Sequence, residues 1–177
     1  FNQAPGSPLA THKRAWFESK EFRRAISEAI PRQDLVRLAF FGRAVQASGP
    51  ISESSALWFR KGQKPHAYNP AAARKRLENA GFKYSGSKLT DAKGNAVEFS
   101  VITNADNATR VRVATLMQQD LAKIGIRLNI VPLDFRSLVD RISRTLDYET
   151  CLLSLVNLGP DPSDQMNLWL SSAAQHM

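Results

Sequence analysis

From Phe22 onward, stretches in which apolar residues return every three or four positions alternate with stretches in which they return every second one. Phe22, Ile26, Ala29 and Ile30 mark a first helix; Ser19 stands where a hydroxyl caps the free amides of the first turn, and Pro31 stops it. A second short helix is predicted from Asp34 to Phe41, ended by Gly42. Asn69-Pro70 sets a cap residue before a proline, the preferred order at a helix start, and Gly81 closes that helix after Leu77 and Ala80. Val113, Met117, Leu121 and Ile124 then form the stripe of a long helix closed by Gly125, and Asp134 heads a helix carrying Phe135, Leu138, Val139 and Ile142.

Between these helices the period falls to two. Lys88–Thr90 and Val97–Val101, separated by the turn Asp91-Ala92-Lys93-Gly94-Asn95, predict a hairpin. Arg127–Val131 alternates as a strand, and Tyr148–Val156 is a nearly continuous apolar run that suits a buried, central strand. Strand, helix, strand, helix, strand predicts the α/β class, with right-handed crossovers and a largely parallel sheet flanked by helices. Residues 1–18, with Pro5, Gly6, Ser7 and Pro8, are expected to run as an extended arm, and residues 19–177 to form a single lobe. Residues 43–66 lack periodicity and carry Gly49-Pro50, Ser52, Ser54, Ser55 and Gly62, the composition of a surface loop.

Composition narrows the function more by exclusion than by indication. A chain of 177 residues that is 43% hydrophobic and 23% charged can bury one sizeable core, and it has no apolar run long enough for a membrane-spanning helix. The sequence opens at Phe1 without the charged segment and apolar run of a leader, so a secretory signal is expected to lie outside these residues or to have been removed. The net charge of +8 raises the question of acidic partners, but Arg23-Arg24, Arg74-Lys75-Arg76 and Arg110/Arg112 each sit on a predicted helix beside oppositely facing apolar residues, as on a solvated face. With no zinc-ligand spacing and no interleaving of aromatic and basic residues, nucleic acid is not an expected partner. Cys151, the single cysteine, reads as a buried strand residue. His12, His66 and His176 lie far apart without acidic or thiol partners, and neither a nucleophile elbow nor a phosphate-cradling glycine loop occurs. No catalytic residue, metal or cofactor is therefore expected, and the chain does not read as an enzyme.

A parallel sheet favours ligands outside the carboxyl ends of its strands. Three loops meet that description: Thr103–Asn107, Pro132–Phe135 and Asn157–Asp161, each leading into a helix whose free amides suit an anion or a carbonyl oxygen. Asn104, Asp106 and Asn107 either bind a ligand or cap a helix, and Asp161 can do both, since it precedes Pro162 at a strand mouth. Asp164 reads as a favourable charge at a helix start. Trp58 either lines a cleft from the long loop or covers a neighbouring helix.

The ordered set of motifs resembles one family. Phe22-Arg23-Arg24-Ala25-Ile26-Ser27-Glu28-Ala29-Ile30-Pro31-Arg32, followed by Gly42-Arg43-Ala44 and Gly49-Pro50-Ile51, is similar to the opening of the C-terminal lobe of family 5 extracellular solute-binding proteins, the peptide, nickel and opine receptors of ATP-driven importers. Tyr68-Asn69-Pro70 to Ala80-Gly81-Phe82, Gly94 to Thr103-Asn104, Gln118 to Gly125-Ile126, and Asp161-Pro162 with Leu168 to Ser171 follow in the family's order. The resemblance spans about residues 20 to 172. It implies a periplasmic-binding-protein-like lobe whose missing N-terminal partner lobe closes with it over a small-molecule or peptide ligand. It also implies delivery to a membrane permease, and a periplasmic or extracellular location with or without a membrane anchor.

The resemblance adds Asn157 and Leu158 to the candidate ligand residues Asn104, Asn107, Asp161 and Trp58. Peptide-binding members carry an aspartate for the ligand's ammonium group three positions before the aspartate of the Asp-Pro pair. Here that position is Leu158, and a usual aromatic residue of the same strand is Leu155. An apolar side chain cannot compensate a buried ammonium, so a peptide with a free amino terminus is not the expected cargo. The alternative of another class is the ligand-sensing domain of a transcriptional regulator with the same fold.

Overall fold

The computed structural model describes residues 1–154, 161–166 and 170. Its helices begin where side chains can cap them. In α2 (Lys20–Ala29) Ser19 Oγ accepts the Phe22 N–H at 3.2 Å, and Phe22, Ala25, Ile26 and Ala29 form the buried face. Ile30 then turns extended before Pro31, as the ring of a following proline requires. Asn69 Oδ1 caps α4 (Pro70–Asn79), and Asn107 Oδ1 caps α5 (Ala108–Lys123), each at 2.9 Å from the amide three residues on. Asp134 does the same for α6 (Phe135–Asp140). The short α3 spans Arg32–Leu38, directly after Pro31 and two residues ahead of its expected start.

The expected arm is only partly an arm. Residues 11–18 form α1 (Thr11–Glu18), whose Trp16 and Phe17 are buried. Pro5, Gly6 and Pro8 do keep residues 1–10 out of a helix, but eight residues are too few to show a period, and burial against Phe22 and Phe99 decides the matter. Phe1 joins the same aromatic cluster at 5.2 Å from Phe17.

The expected hairpin is also redrawn. Strand β2 (Lys88–Thr90) pairs antiparallel with β1 (Lys83–Ser85), around Gly86 at φ 59°. Towards the next strand β2 keeps only the Thr90–Ala96 bridge, because β3 (Glu98–Asn104) is taken on both sides by parallel partners. These are β4 (Arg127–Leu133) and β5 (Thr150–Cys151), in the order β4-β3-β5. The centre thus belongs to β3, and the apolar run from Tyr148 supplies a two-residue edge strand among the described residues instead of the central one. Its start is held differently: the Asn2 N–H donates to the Glu149 carbonyl at 2.9 Å, and Asn2 Nδ2 donates to the carbonyls of Leu146 and Tyr148.

Phe99, Val101, Leu128 and Ile126 turn one sheet face towards Leu121, Ile124 and the aromatic cluster, where α2, α4 and α5 complete the core. Buried Ile102 alternates to the other face, and α6 packs against β3 with Leu138 fully buried. Phe135 and Val139, placed by the pattern on the same stripe, are exposed, and the helix continues as a π-helical turn, Arg141–Thr145. Residues 43–66 contain no helix or strand, as expected.

Candidate functional site at the strand mouth

Because β3, β4 and β5 run parallel, their carboxyl ends meet at one edge. Asn104 lies in register with Leu133, the Ala105 N–H reaches the Leu133 carbonyl at 2.7 Å, and Thr103 Oγ1 donates to the Leu152 carbonyl at 2.9 Å. Asn104 ends β3 with only 6% of its surface exposed. Its side chain is used at both ends: Nδ2 donates to Asp106 Oδ1 at 2.6 Å, and Oδ1 accepts from Arg110 Nη1. Arg110 Nε in turn donates to Ser154 Oγ at 3.3 Å, so one guanidinium spans the end of β3 and the segment that follows β5. Asn107 Oδ1 receives the Arg110 N–H, which fixes the first turn of α5 under the same group.

The expected residues separate accordingly. Asn104 and Asn107 come together, joined by Asp106, Arg110 and Ser154. Asp161 caps the short 3-10 turn Pro162–Gln165: Oδ1 accepts the Ser163 N–H at 2.8 Å and its hydroxyl at 2.5 Å, and these bonds hold the carboxyl below the usual aspartate range. No hydrogen bond among the described residues links it to Asn104. Trp58 lies half exposed in the 43–66 segment, its N–H on the Ser55 carbonyl, and no described ring contact or hydrogen bond joins it to the strand mouth. Asn157 and Leu158 lie outside the described residues, as do Leu155 and His176.

Arg110 was not among the expected site residues, since its helix reads as a solvated face. The signal was nonetheless present: a cation in a first helical turn, where the backbone dipole disfavours it, six residues after the strand-ending Asn104. Arg112 is occupied elsewhere, with its guanidinium 5.0 Å from the Phe41 ring centre.

The chemistry on offer is recognition by fixed polar groups. Among the described residues no cluster of three metal-ligating side chains occurs. Cys151 is half-buried, and burial pushes its thiol up to about 11, unlike a reactive thiolate. Two hollows lie on other faces. One, about 200 Å³, is lined by Leu9, Ser100, Arg141 and Glu149; the other, about 430 Å³, by His12, Trp16, Phe82 and Lys93. Neither includes a strand-mouth residue, and hydrogen bonding rather than hollow size therefore marks the candidate site.

Known proteins share the fold and the family of this chain. Over 131 residues the chain is 33% identical to a probable ABC transporter-binding protein of Deinococcus radiodurans, covering 73% of this chain and 22% of that protein. Over 118 residues it is 30% identical to the glutathione-binding protein GsiB of Shigella flexneri, covering 67% of this chain and 21% of that one. The oligopeptide-binding protein AppA of Bacillus subtilis, solved with a nonapeptide, superposes with a TM-score of 0.82 at 26% identity, covering 91% of this chain and 32% of AppA. The α/β lobe of the periplasmic-binding-protein type is thus the observed fold, and the chain spans about a fifth of the length of these curated relatives. A family profile matches residues 1–176, and the chain belongs to the bacterial extracellular solute-binding proteins, family 5.

Proposed function

We propose that this chain forms one lobe of the substrate-binding component of an ATP-driven importer, which holds a peptide-like or other small solute between two lobes and hands it to a membrane permease. The observation that carries this reading is the convergence of Asn104, Asn107, Arg110 and Ser154 at the carboxyl edge of a parallel sheet. Among the described residues this edge offers fixed donors and acceptors to a solute, with no metal-ligating cluster beside them. Binding without chemistry suits a carrier, and the protein is read as a non-enzyme.

The second lobe belongs to the length by which the relatives exceed this chain. The segment Phe1–Asn2 runs beside Tyr148–Glu149 at the start of β5. Closure of two hinged lobes over the solute gives the permease a distinct shape to recognise. Asn157, Leu158, Asp161 and Trp58 are carried as further contacts of the closed form. The relatives' names point to glutathione and peptides as cargo classes, whereas Leu158 at the ammonium-anchor position speaks against a peptide held by its free amino terminus. The regulatory alternative gains no support from the family or these relatives.

The test is a thermal-shift panel on the full-length protein that contains this chain, with glutathione, short peptides with free or acetylated amino ends, oligosaccharides and nickel chelates. A raised midpoint with one class identifies the cargo by mass action. No shift with any class would remove the receptor reading.

A further inference from the structure

We infer that Arg110 receives a negatively charged group of the solute, so that the cargo presents a carboxylate or comparable anion to the carboxyl ends of β3 and β5. The inference rests on reading the strand mouth as the capture site. It begins from where the arginine stands. The first turn of α5 contains no acidic residue, and a cation there opposes the positive end of the helix dipole. Arg110 forms no ion pair among the described residues. Asp106, the nearest acid along the chain, is turned to Asn104 Nδ2 instead, and Asp161 is engaged by Ser163. Arg112 adds a second cation to the same end of α5 and is held over Phe41.

The guanidinium is also held in place. Nε rests on Ser154, Nη1 on Asn104, and Asn104 is itself buried and fixed from its other end by Asp106. These two bonds leave Nη2 and the second hydrogen of Nη1 without a partner among the described residues, and adjacent guanidinium N–H groups match the two oxygens of a carboxylate. A purely mechanical tie between the end of β3 and the segment after β5 would need no charge: a neutral amide reaching Asn104 and Ser154 would avoid the conflict with the dipole. Arg110 is therefore assigned as the anion-binding residue, and Asn104 as the residue that positions it.

Calorimetry on the full-length protein tests this with Ala-Ala-Ala carrying a free or amidated carboxyl end, each with a free or acetylated amino end, together with glutathione and maltotriose. The expected result is binding of carboxylate forms about tenfold or more tighter than their amides. Arg110→Gln should bring that ratio close to one, and Asn104→Ala should reduce it without abolishing it. If Arg110→Gln fails to fold by thermal melting, Arg110→Lys carries the test, because it keeps the charge but loses the fork and should lower the ratio several-fold. Equal binding of acid and amide by the unaltered protein overturns the inference, as does a ratio that survives both Arg110 substitutions. Binding of maltotriose or the amides alone overturns it while leaving the receptor reading standing; if no probe binds, the inference falls, and a blank in the wider solute panel would remove the receptor reading with it.

Discussion

Lys13 and Glu149 form an ion pair of 2.6 Å that fastens α1 to the start of β5, with both side chains less than a quarter exposed. The other Glu149 oxygen, Oε2, accepts the N–H and the hydroxyl of Ser100 on β3, so one carboxylate joins three segments of the chain. Here a side chain does part of what a longer strand ladder would do, which is why β5 can be so short. This contact secures the lobe at the edge where Phe1–Asn2 also lies.

The pH dependence of stability follows from that carboxylate. Burial pushes it up, but the hydrogen bonds from Lys13 and Ser100 outweigh burial and hold it below the usual glutamate range. A carboxyl depressed in the folded state adds stability that is fully present above its unfolded pKa, about 4.3, and is lost as pH falls through the folded value. Glu149→Gln should therefore destabilise by about 1 kcal/mol at pH 7, with the deficit shrinking below about pH 4. Urea unfolding of both proteins at pH 7 and pH 3 checks this; an equal deficit at both values would show that the charge is not responsible.

Gly125 turns the chain from α5 into β4 at φ +78°, and a Cβ there would sit 2.9 Å from the Ser87 carbonyl oxygen and 3.0 Å from the Leu89 nitrogen. Both obstacles are backbone and cannot swing away. Gly125→Ala should cost about 2–4 kcal/mol, from the left-handed conformation plus the displaced backbone. Gly81, at φ +91° with nothing within 4 Å, should lose only about 1–2 kcal/mol on the same change. Chemical denaturation of the pair reads the difference, and similar losses would mean that the contact with the β1–β2 turn carries no weight.

Asp91 organises its turn and the indole of α1 together. Its Oδ1 accepts the N–H groups of Lys93 and Asn95, each at 2.9 Å, and Oδ2 accepts Trp16 Nε1–H at 3.1 Å. Asp91→Ala would leave the buried Trp16 N–H without a partner, at about 1–3 kcal/mol. Asp91→Asn keeps an acceptor and should cost less. Denaturation midpoints for the two variants decide it, and an equal loss would place the effect in the turn alone.

The local devices were legible and the long-range ones were not. Ser19, Asn69, Asn107 and Asp134 cap helices within three residues, so their sequence spacing is sufficient. Of the apolar run from Tyr148, Thr150–Cys151 is the strand among the described residues. Its position at the edge depends on Asn2 and Glu149, whose partners lie far away in sequence. Helix α1 is set by burial of Trp16 and Phe17 rather than by a period. Asn104 and Asn107, chosen by the strand-end rule, do stand at the carboxyl end of β3 and the cap of α5. Arg110 escaped because a helix's solvated face is indistinguishable, in sequence, from one that a neighbouring strand end reaches.

Asn107 separates capping from binding most directly. Its Oδ1 is taken by the Arg110 N–H, while Nδ2 has no partner among the described residues. Asn107→Asp keeps the acceptor and is an equally good cap, so stability should stay within about 0.5 kcal/mol. It replaces the amide donors by a charge that opposes an anionic solute. Binding of a carboxylate-bearing peptide to the full-length protein should therefore weaken several-fold at unchanged melting temperature. Asn107→Ala should instead lower stability by about 1 kcal/mol whether or not a solute is present. If Asn107→Asp leaves solute affinity unchanged, Asn107 is a cap and nothing more, and the candidate site contracts to Asn104, Arg110 and Ser154.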